Sequence, residues 1–132
     1  MGLFKRIFGI CETKPPADAG CWKAVDAGIE VDLARATELA APLGAIRLES
    51  EDLSYRVLVV HEAEDHYHAF VNKCAHMGRR LDPVSRGLEC CSIGRSRYDW
   101  EGAAKGGAAP GPITVLDTRL DGGTLHVVLK PV

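Results

Sequence analysis

The chain has 132 residues, 46% of them apolar, which is the length and composition of one compact domain with a hydrophobic core. Sixteen Lys and Arg side chains nearly balance eighteen Asp and Glu, and the formal net charge is −2. This balance argues against the broad basic surface with which proteins bind nucleic-acid phosphates.

The first eleven residues predict a short amphipathic helix. Leu3, Phe4, Ile7 and Phe8 share one helical face, and Lys5 and Arg6 lie opposite. Two interpretations remain open. The segment is either a peptide that docks on a partner or a membrane surface, or a terminal helix packed on its own domain, which we favour.

Residues 13–20 are rich in Pro and Gly and read as a linker, so we divide the chain into an N-terminal segment and linker, 1–20, and a globular domain, 21–132. Residues 30–41 have helix-forming composition and precede Pro42 and Gly44, which predicts one or two helical turns.

The rest of the chain has the alternating, β-rich pattern of short strands separated by turn signals. The expected strands are residues 45–49, 55–61, 66–72, 87–91, 97–100, 113–118 and 125–129. This pattern predicts a small antiparallel all-β domain. Residues 102–112 form a long loop of small residues, with the composition of a segment that covers a site.

Five cysteines form an odd and unevenly spaced set, unlike the framework of a small secreted disulfide protein. We therefore expect metal or redox chemistry in a reducing compartment. The longest apolar runs fall well short of the roughly 20 residues that cross a bilayer. From these features we expect a cytoplasmic protein without a transmembrane segment.

Cysteine and histidine side chains cluster on two predicted loops. Cys74-Ala75-His76 follows one strand, and Cys90-Cys91 follows another. Thiolates and an imidazole are ligands that iron and zinc accept. By residue type alone a metal site and a pair of buried free thiols are about equally well supported.

The residues around these loops resemble the Rieske iron–sulfur domains, especially those of cytochrome bc-type complexes. The family's first loop reads C-T-H-L-G-C-x-L, and this chain has Cys-Ala-His-Met-Gly-Arg-Arg-Leu at 74–81. Its second reads C-P-C-H-G-S-R-Y-D, and the gapless counterpart at 91–99 is Cys-Ser-Ile-Gly-Arg-Ser-Arg-Tyr-Asp. The resemblance covers about residues 44–130 and implies a small antiparallel Rieske-type β-sandwich with a two-loop metal-binding subdomain.

The resemblance also implies a [2Fe-2S] cluster and a role for each matching residue. Cys74 and Cys91 match the two ligands of the inner iron, and His76 matches one ligand of the outer iron. Ser96 and Tyr98 match hydroxyls that hydrogen-bond the cluster and raise its reduction potential.

Two departures put the cluster in question. Gly94 stands where the family has its second histidine ligand, and a register in which Cys90 replaces Cys91 puts Ile93 there instead. The subgroup's disulfide cysteines are also both replaced, by Arg79 and Ile93, so we expect packing alone to hold the loops.

Three outcomes follow from the missing ligand. Cys90 or a histidine (His61, His66 or His68) substitutes in an altered cluster; a single zinc or iron binds; or the domain is empty. Cys90 is more typical of a buried or free thiol than of a ligand. The same holds for Cys11 and Cys21, which lie outside the matching region.

The leading functional hypothesis is a small electron carrier or accessory redox subunit, not an enzyme by itself, that serves an oxidoreductase or another redox partner. The competing hypothesis is a cluster-free Rieske-fold module that binds its partner through basic loops or residues 1–11. Arginines around the two loops have the charge to steer an acidic partner, and they are Arg79, Arg80, Arg86, Arg95 and Arg97.

Overall fold

The computed structural model of the chain describes residues 2–75 and 77–131, and within them it is nearly all β. A short helix, α1 (Leu3–Phe8), and two 3₁₀ turns (Ala19–Cys21 and Thr37–Leu39) accompany the strands. The strands are β1 (Trp22–Val25), β2 (Gly28–Asp32), β3 (Ala45–Leu48), β4 (Val57–Ala63), β5 (His66–Val71), β6 (Leu81–Val84), β7 (Gly87–Cys90), β8 (Arg97–Asp99), β9 (Ala104–Gly106), β10 (Val115–Asp121) and β11 (Thr124–Val128).

The strands form two antiparallel sheets. The larger has the order β1-β2-β11-β10-β5-β4-β3, and the smaller has the order β6-β7-β8-β9. The smaller sheet carries both loops identified in the sequence: the first loop, residues 72–80, enters β6, and the second loop, residues 91–96, joins β7 to β8. The predicted all-β antiparallel fold is therefore confirmed.

Strand β4 contributes side chains to two hydrophobic cores, one on each of its faces. Val57 and Val59 belong to the core of the larger sheet, whereas Leu58 and Val60 belong to a second core. Successive side chains of a strand point to opposite faces, so an uninterrupted apolar run is the pattern of a strand covered on both sides. All four side chains are fully buried.

The second core supports the two loops. Phe70 of β5 is fully buried and packs there with Leu81, Leu88 and Tyr98 of the smaller sheet. Cys74 and Cys90 belong to the same cluster. Truncating a buried Phe to Ala costs about 3–5 kcal/mol of unfolding free energy. This packing therefore contributes substantially to the stability of the core in which both thiols lie.

All seven expected strands are present, but the helical turns expected within residues 30–41 are largely wrong. Residues 28–32 form β2, which pairs with both β1 and β11. Ile29 and Val31 alternate into the main core, and this burial overrides the helix-forming composition that follows them. Only the 3₁₀ turn at Thr37–Leu39 remains of the expected helix.

The loop of small residues is also more ordered than its composition predicts. Residues 104–106 form β9, which pairs with β8 at the edge of the smaller sheet. We call residues 102–112 the covering loop, because Ala108 N donates a hydrogen bond to Gly94 O of the second loop at 3.1 Å.

Residues 2–20 lie against the domain. The backbone N–H groups of Glu12 and Thr13 donate to the carboxylate of Asp82 at 2.8 and 2.9 Å. Further along, Arg47 N donates to Lys14 O at 3.1 Å. Hydrogen bonds from two regions of the domain thus hold the segment that the sequence indicates as a linker.

Helix α1 contacts its own domain through its polar face. Arg6 is buried, whereas Leu3, Phe4, Ile7 and Phe8 are exposed. The helix therefore packs on its own domain, which is the interpretation that we favoured. It does so through Arg6, and its apolar face points away from the domain. No helix in the described part of the chain is long and apolar enough to cross a membrane.

Candidate metal centre

The first loop is closed by its own backbone. Gly78 N donates to Cys74 O at 2.8 Å, and Cys74 N donates to Arg79 O at 2.7 Å. Gly78 has a φ of +68°, a left-handed conformation that glycine adopts without a steric penalty. The turn therefore places the Cys74 side chain in the second core.

The half-buried Arg56 and the buried Asn72 hold this loop from behind. Arg56 Nη2 donates to Gly78 O at 2.6 Å, and its Nε donates to Asn72 O at 3.0 Å. Asn72 Oδ1 in turn accepts from Leu81 N at 2.8 Å. Both ends of the first loop are thus fixed to strands of the two sheets.

The second loop is a tight connection between β7 and β8. Cys90 N donates to Ser96 O at 2.7 Å, and Arg95 takes a positive φ of 50° within the turn. Cys91 N donates to Arg80 O at 3.1 Å. The last contact joins the second loop to the first.

Cys74 and Cys90 are the two thiols that the loops bring together. Both are buried, and they lie within hydrogen-bonding reach of one another. The Tyr98 hydroxyl lies 3.5 Å from Cys74 Sγ and accepts a hydrogen bond from Ala75 N at 3.1 Å. Burial, with the Cys74 thiol as a second cause, raises the pKa of Cys90 and that of Tyr98 to about 12 each.

Two serine hydroxyls line the same region. Ser92 Oγ and Ser96 Oγ are buried, and neither has a hydrogen-bond partner of good geometry among residues 2–75 and 77–131. The Ser92 hydroxyl nevertheless lies close enough to Cys90 to offset part of the rise in the pKa of that thiol. Ser96 does the same for the pKa of Tyr98. A buried hydroxyl without a good partner is costly unless a further acceptor is present.

Cys91 is not beside these thiols, because it forms a disulfide with Cys11. The Cα atoms of the two cysteines are 5.4 Å apart. A disulfide sulfur is not a thiolate, so the assignment of Cys91 as an iron ligand stays a prediction that applies to the reduced protein. The bond also contradicts our expectation that packing alone holds the loops.

Sequence analysis missed the role of Cys11. It lies 80 residues before its partner, and no spacing rule links the two positions. The available signal was the joint replacement of the bc-type disulfide cysteines, which leaves the second loop in need of another connection. The Asp82 carboxylate lies within 4.8 Å of both sulfurs but already accepts two backbone hydrogen bonds.

Two ligand positions of the family motif remain, the histidine position of each loop. His76, the predicted outer-iron ligand, lies outside the described residues. At the second histidine position, Gly94 uses its carbonyl oxygen to bind the covering loop. Ile93, which takes that position in the alternative register, is exposed.

The histidines considered as substitutes have other contacts. His61 Nε2 pairs with Glu64 O at 2.7 Å, and the ring stacks on Tyr67. His68 Nε2 pairs with a Glu62 carboxylate oxygen at 2.7 Å, and its ring stacks on the Trp100 indole. His66 is exposed at the start of β5.

Half of a Rieske centre therefore fits these residues. The buried pair Cys74 and Cys90, with the Tyr98 hydroxyl and two serine hydroxyls beside it, has the chemistry of the two-cysteine side. The two-histidine side does not fit, because the described residues offer no second imidazole at the loops.

Solved structures with the same architecture include a protein whose title names it a Rieske protein and a ferredoxin. The cyanobacterial plasma membrane Rieske protein PetC3 from Synechocystis superposes with a TM-score of 0.53 at 17% identity, over 64% of this chain and 85% of that one. The ferredoxin of carbazole 1,9a-dioxygenase from Nocardioides aromaticivorans superposes with a TM-score of 0.58 at 22% identity, over 68% and 88%. The chain has the Rieske fold.

A further structural neighbour comes from a complex of reduced oxygenase and oxidized ferredoxin in carbazole 1,9a-dioxygenase. It has a TM-score of 0.62 at 15% identity, over 85% of this chain and 97% of that one. At such identities the likeness establishes the fold alone. No family model matches the chain, and a search of curated proteins found no match.

Proposed function

We propose that this chain is a Rieske-fold electron carrier or accessory redox subunit with altered cluster ligation. In this proposal Cys74, Cys90 and His76 would hold the cluster, and its fourth ligand would come from outside the chain. A [2Fe-2S] cluster in that position would accept and release one electron. The supporting observation is the buried Cys74–Cys90 pair beside the Tyr98 hydroxyl.

The proposal uses Cys90 where the gapless sequence match uses Cys91. Cys90 belongs to the second core together with Cys74, whereas Cys91 is bonded to Cys11. In this register the position of the second histidine falls on Ile93, which is exposed and cannot bind a metal.

The surrounding residues would tune such a site. The Tyr98 hydroxyl would donate to the Cys74 thiolate, and Ser92 and Ser96 offer two further buried donors. Hydrogen bonds to a thiolate or a sulfide stabilise the reduced cluster and raise its potential. The apolar side chains of the second core, led by Phe70, exclude water from the inner side.

We propose a redox protein or an oxidoreductase as the partner, and no catalysis by this chain alone. A structural neighbour whose title names a complex of an oxygenase and a ferredoxin supports this choice. Arg95, exposed on the second loop, supplies positive charge that would steer an acidic partner towards the centre.

The test is anaerobic purification followed by iron and sulfide assays and spectroscopy. We expect a coloured protein with iron and acid-labile sulfide in near-equal amounts. Cys90→Ser should bleach it, whereas Cys91→Ser should leave the absorption spectrum in place and Cys21→Ser should serve as a buried-thiol control. Colourless protein without iron or sulfide after reconstitution would exclude the proposal. Stoichiometric zinc in the purified protein would instead assign a mononuclear zinc site to these residues.

The second candidate is a cluster-free Rieske-fold binding module. It is favoured by Gly94, whose carbonyl holds the covering loop over the place of the missing histidine. The same purification distinguishes the two candidates, because this module would be colourless and would contain neither iron nor acid-labile sulfide.

A further inference from the structure

Exposed apolar side chains gather at one end of the molecule. Helix α1 and the residues after it contribute five, and each metal-site loop contributes one at its tip. Phe4 is 68% exposed and Phe8 63%, while Ile93 of the second loop is 59% exposed and Met77 of the first 55%. We call this set the apolar end, and its members are Leu3, Phe4, Ile7, Phe8, Ile10, Met77 and Ile93.

Three connections hold α1 beside the two loops. Arg79 Nη1 of the first loop donates to Ile7 O at 3.2 Å. Arg6 Nη1 donates to Ser92 O of the second loop at 3.2 Å. The Cys11–Cys91 disulfide fixes the chain directly after the helix to the second loop. A helix of six residues is marginal alone, but here it is cross-linked to the domain.

These connections also decide which face of α1 is free. The Arg6 guanidinium points into the domain and pairs with Glu89 at 2.6 Å. The apolar face therefore points outwards, with Phe4 and Phe8 in contact at a centroid distance of 4.9 Å. Contiguous apolar surface of this kind marks an interaction site rather than a random exposed residue.

Positive charge surrounds the apolar end although the chain as a whole carries a net charge of −2. Lys73 is exposed, and its side chain lies beside Gly78 at the tip of the first loop. Arg95 is exposed on the second loop, whereas the Lys5 side chain on α1 is 43% exposed and pairs with the Glu12 carboxylate at 3.0 Å. A surface with an apolar centre and cationic edges is complementary to anionic lipid headgroups over acyl chains.

We propose that the apolar end binds the surface of an anionic bilayer, with α1 in the interfacial plane and the tips of both loops facing the membrane. The five side chains of residues 3–10 that form its centre offer no hydrogen-bonding groups. Interfaces between proteins usually include one hydrogen bond per 100–200 Å², whereas insertion between headgroups needs none. The inference does not depend on a bound cluster.

The experiment is sedimentation of the 132-residue, metal-free, disulfide-bonded chain with vesicles. We expect binding to vesicles of phosphatidylglycerol and phosphatidylcholine in equal parts, and at least tenfold weaker binding to phosphatidylcholine alone or at high salt. The double variant Phe4→Ser/Phe8→Ser should lower the bound fraction at least tenfold without changing thermal unfolding, because both side chains are exposed.

A matched control changes two exposed apolar side chains elsewhere, Val25→Ser of β1 and Val128→Ser of β11, which should leave vesicle binding unchanged. Failure of the unchanged protein to bind anionic vesicles would overturn the proposal. Equal binding by the Phe4→Ser/Phe8→Ser variant would do so as well. Self-association that is abolished by the same variant, without vesicle binding, would assign the apolar end to a second copy of the chain instead.

Discussion

Arg6 Nη2 donates to Glu89 Oε1 at 2.6 Å across 83 residues of sequence, and both side chains are largely buried. The other Glu89 oxygen accepts from Arg97 Nε at 3.2 Å. One carboxylate of β7 therefore joins helix α1 to β8. The N-terminal segment is in this way part of the surface around the candidate centre.

This ion pair predicts a pH-dependent stability. Burial alone would raise the pKa of Glu89, but hydrogen bonds and positive charge from Arg6 and then Arg97 lower it below its usual range. A lowered folded-state pKa contributes stability that is fully present above the unfolded value of about 4.3 and lost as the pH falls through the folded one. Glu89→Gln should therefore cost roughly 1.5–3 kcal/mol of unfolding free energy at pH 7, and less as the pH falls towards 3.

Urea unfolding between pH 3 and pH 7 measures this difference. Glu101→Gln, at an exposed carboxylate, is the control and should change stability little at any pH. A difference between wild type and Glu89→Gln that stays constant over the range would contradict the assignment.

The Cys11–Cys91 disulfide predicts a redox-dependent stability. A cross-link that closes a loop of this size contributes about 2–5 kcal/mol. A dithiol reductant should lower the unfolding free energy of the wild type by that amount, and Cys11→Ser should lack the response.

Thiol trapping before cell lysis would also test the expected cytoplasmic location, because stable disulfides are typical of oxidising compartments.

The Tyr98 hydroxyl predicts a separable contribution to the first loop. Tyr98→Phe removes the contact to Cys74 Sγ and leaves Ala75 N without its acceptor, which should cost about 1 kcal/mol of unfolding free energy. In cluster-loaded protein the reduction potential should fall, because one hydrogen bond to the thiolate is lost. Tyr67→Phe, whose ring stacks on His61, is the control and should leave the potential unchanged.

Gly107 predicts a steric requirement in the covering loop. Its φ is +66°, and a Cβ at this position would collide with the backbone carbonyl groups of Gly94 and Arg95. Gly107→Ala should therefore displace the covering loop and increase hydrogen exchange at Ala108 N, which donates to Gly94 O. Gly111→Ala meets nothing within 4 Å and should have no such effect.

Much of the fold could be predicted because its strands have clear patterns. The continuous apolar run of β4 identifies a strand buried on both faces, and the loop motifs identify the Rieske resemblance. The β1–β2 hairpin was missed because its turn lacks the usual glycine signal: Ala27 takes a positive φ of 54° there. Pairing with β11 then determines β2, and such tertiary pairing is invisible in local composition.

Which of Cys90 and Cys91 faces the second core could not be predicted for a related reason. Adjacent residues of a strand point to opposite faces, so a shift of one residue exchanges them. In the structure Cys90 pairs with Leu81 across the smaller sheet and faces the second core. The gapless motif match over residues 91–99 selects Cys91, because a sequence match cannot register which face of the sheet a side chain takes.

The disulfide also has a consequence for the order of events during synthesis. Cys11 and Cys91 enclose the chain from β1 to β7, so the ring cannot close until its second cysteine has left the ribosome. Until then Cys11 meets Cys21, Cys74 and Cys90 before its native partner. Cys74 and Cys90 share their core with Tyr98 and Ile113, which follow Cys91 in the chain, so the burial of these two thiols cannot precede the synthesis of the native partner.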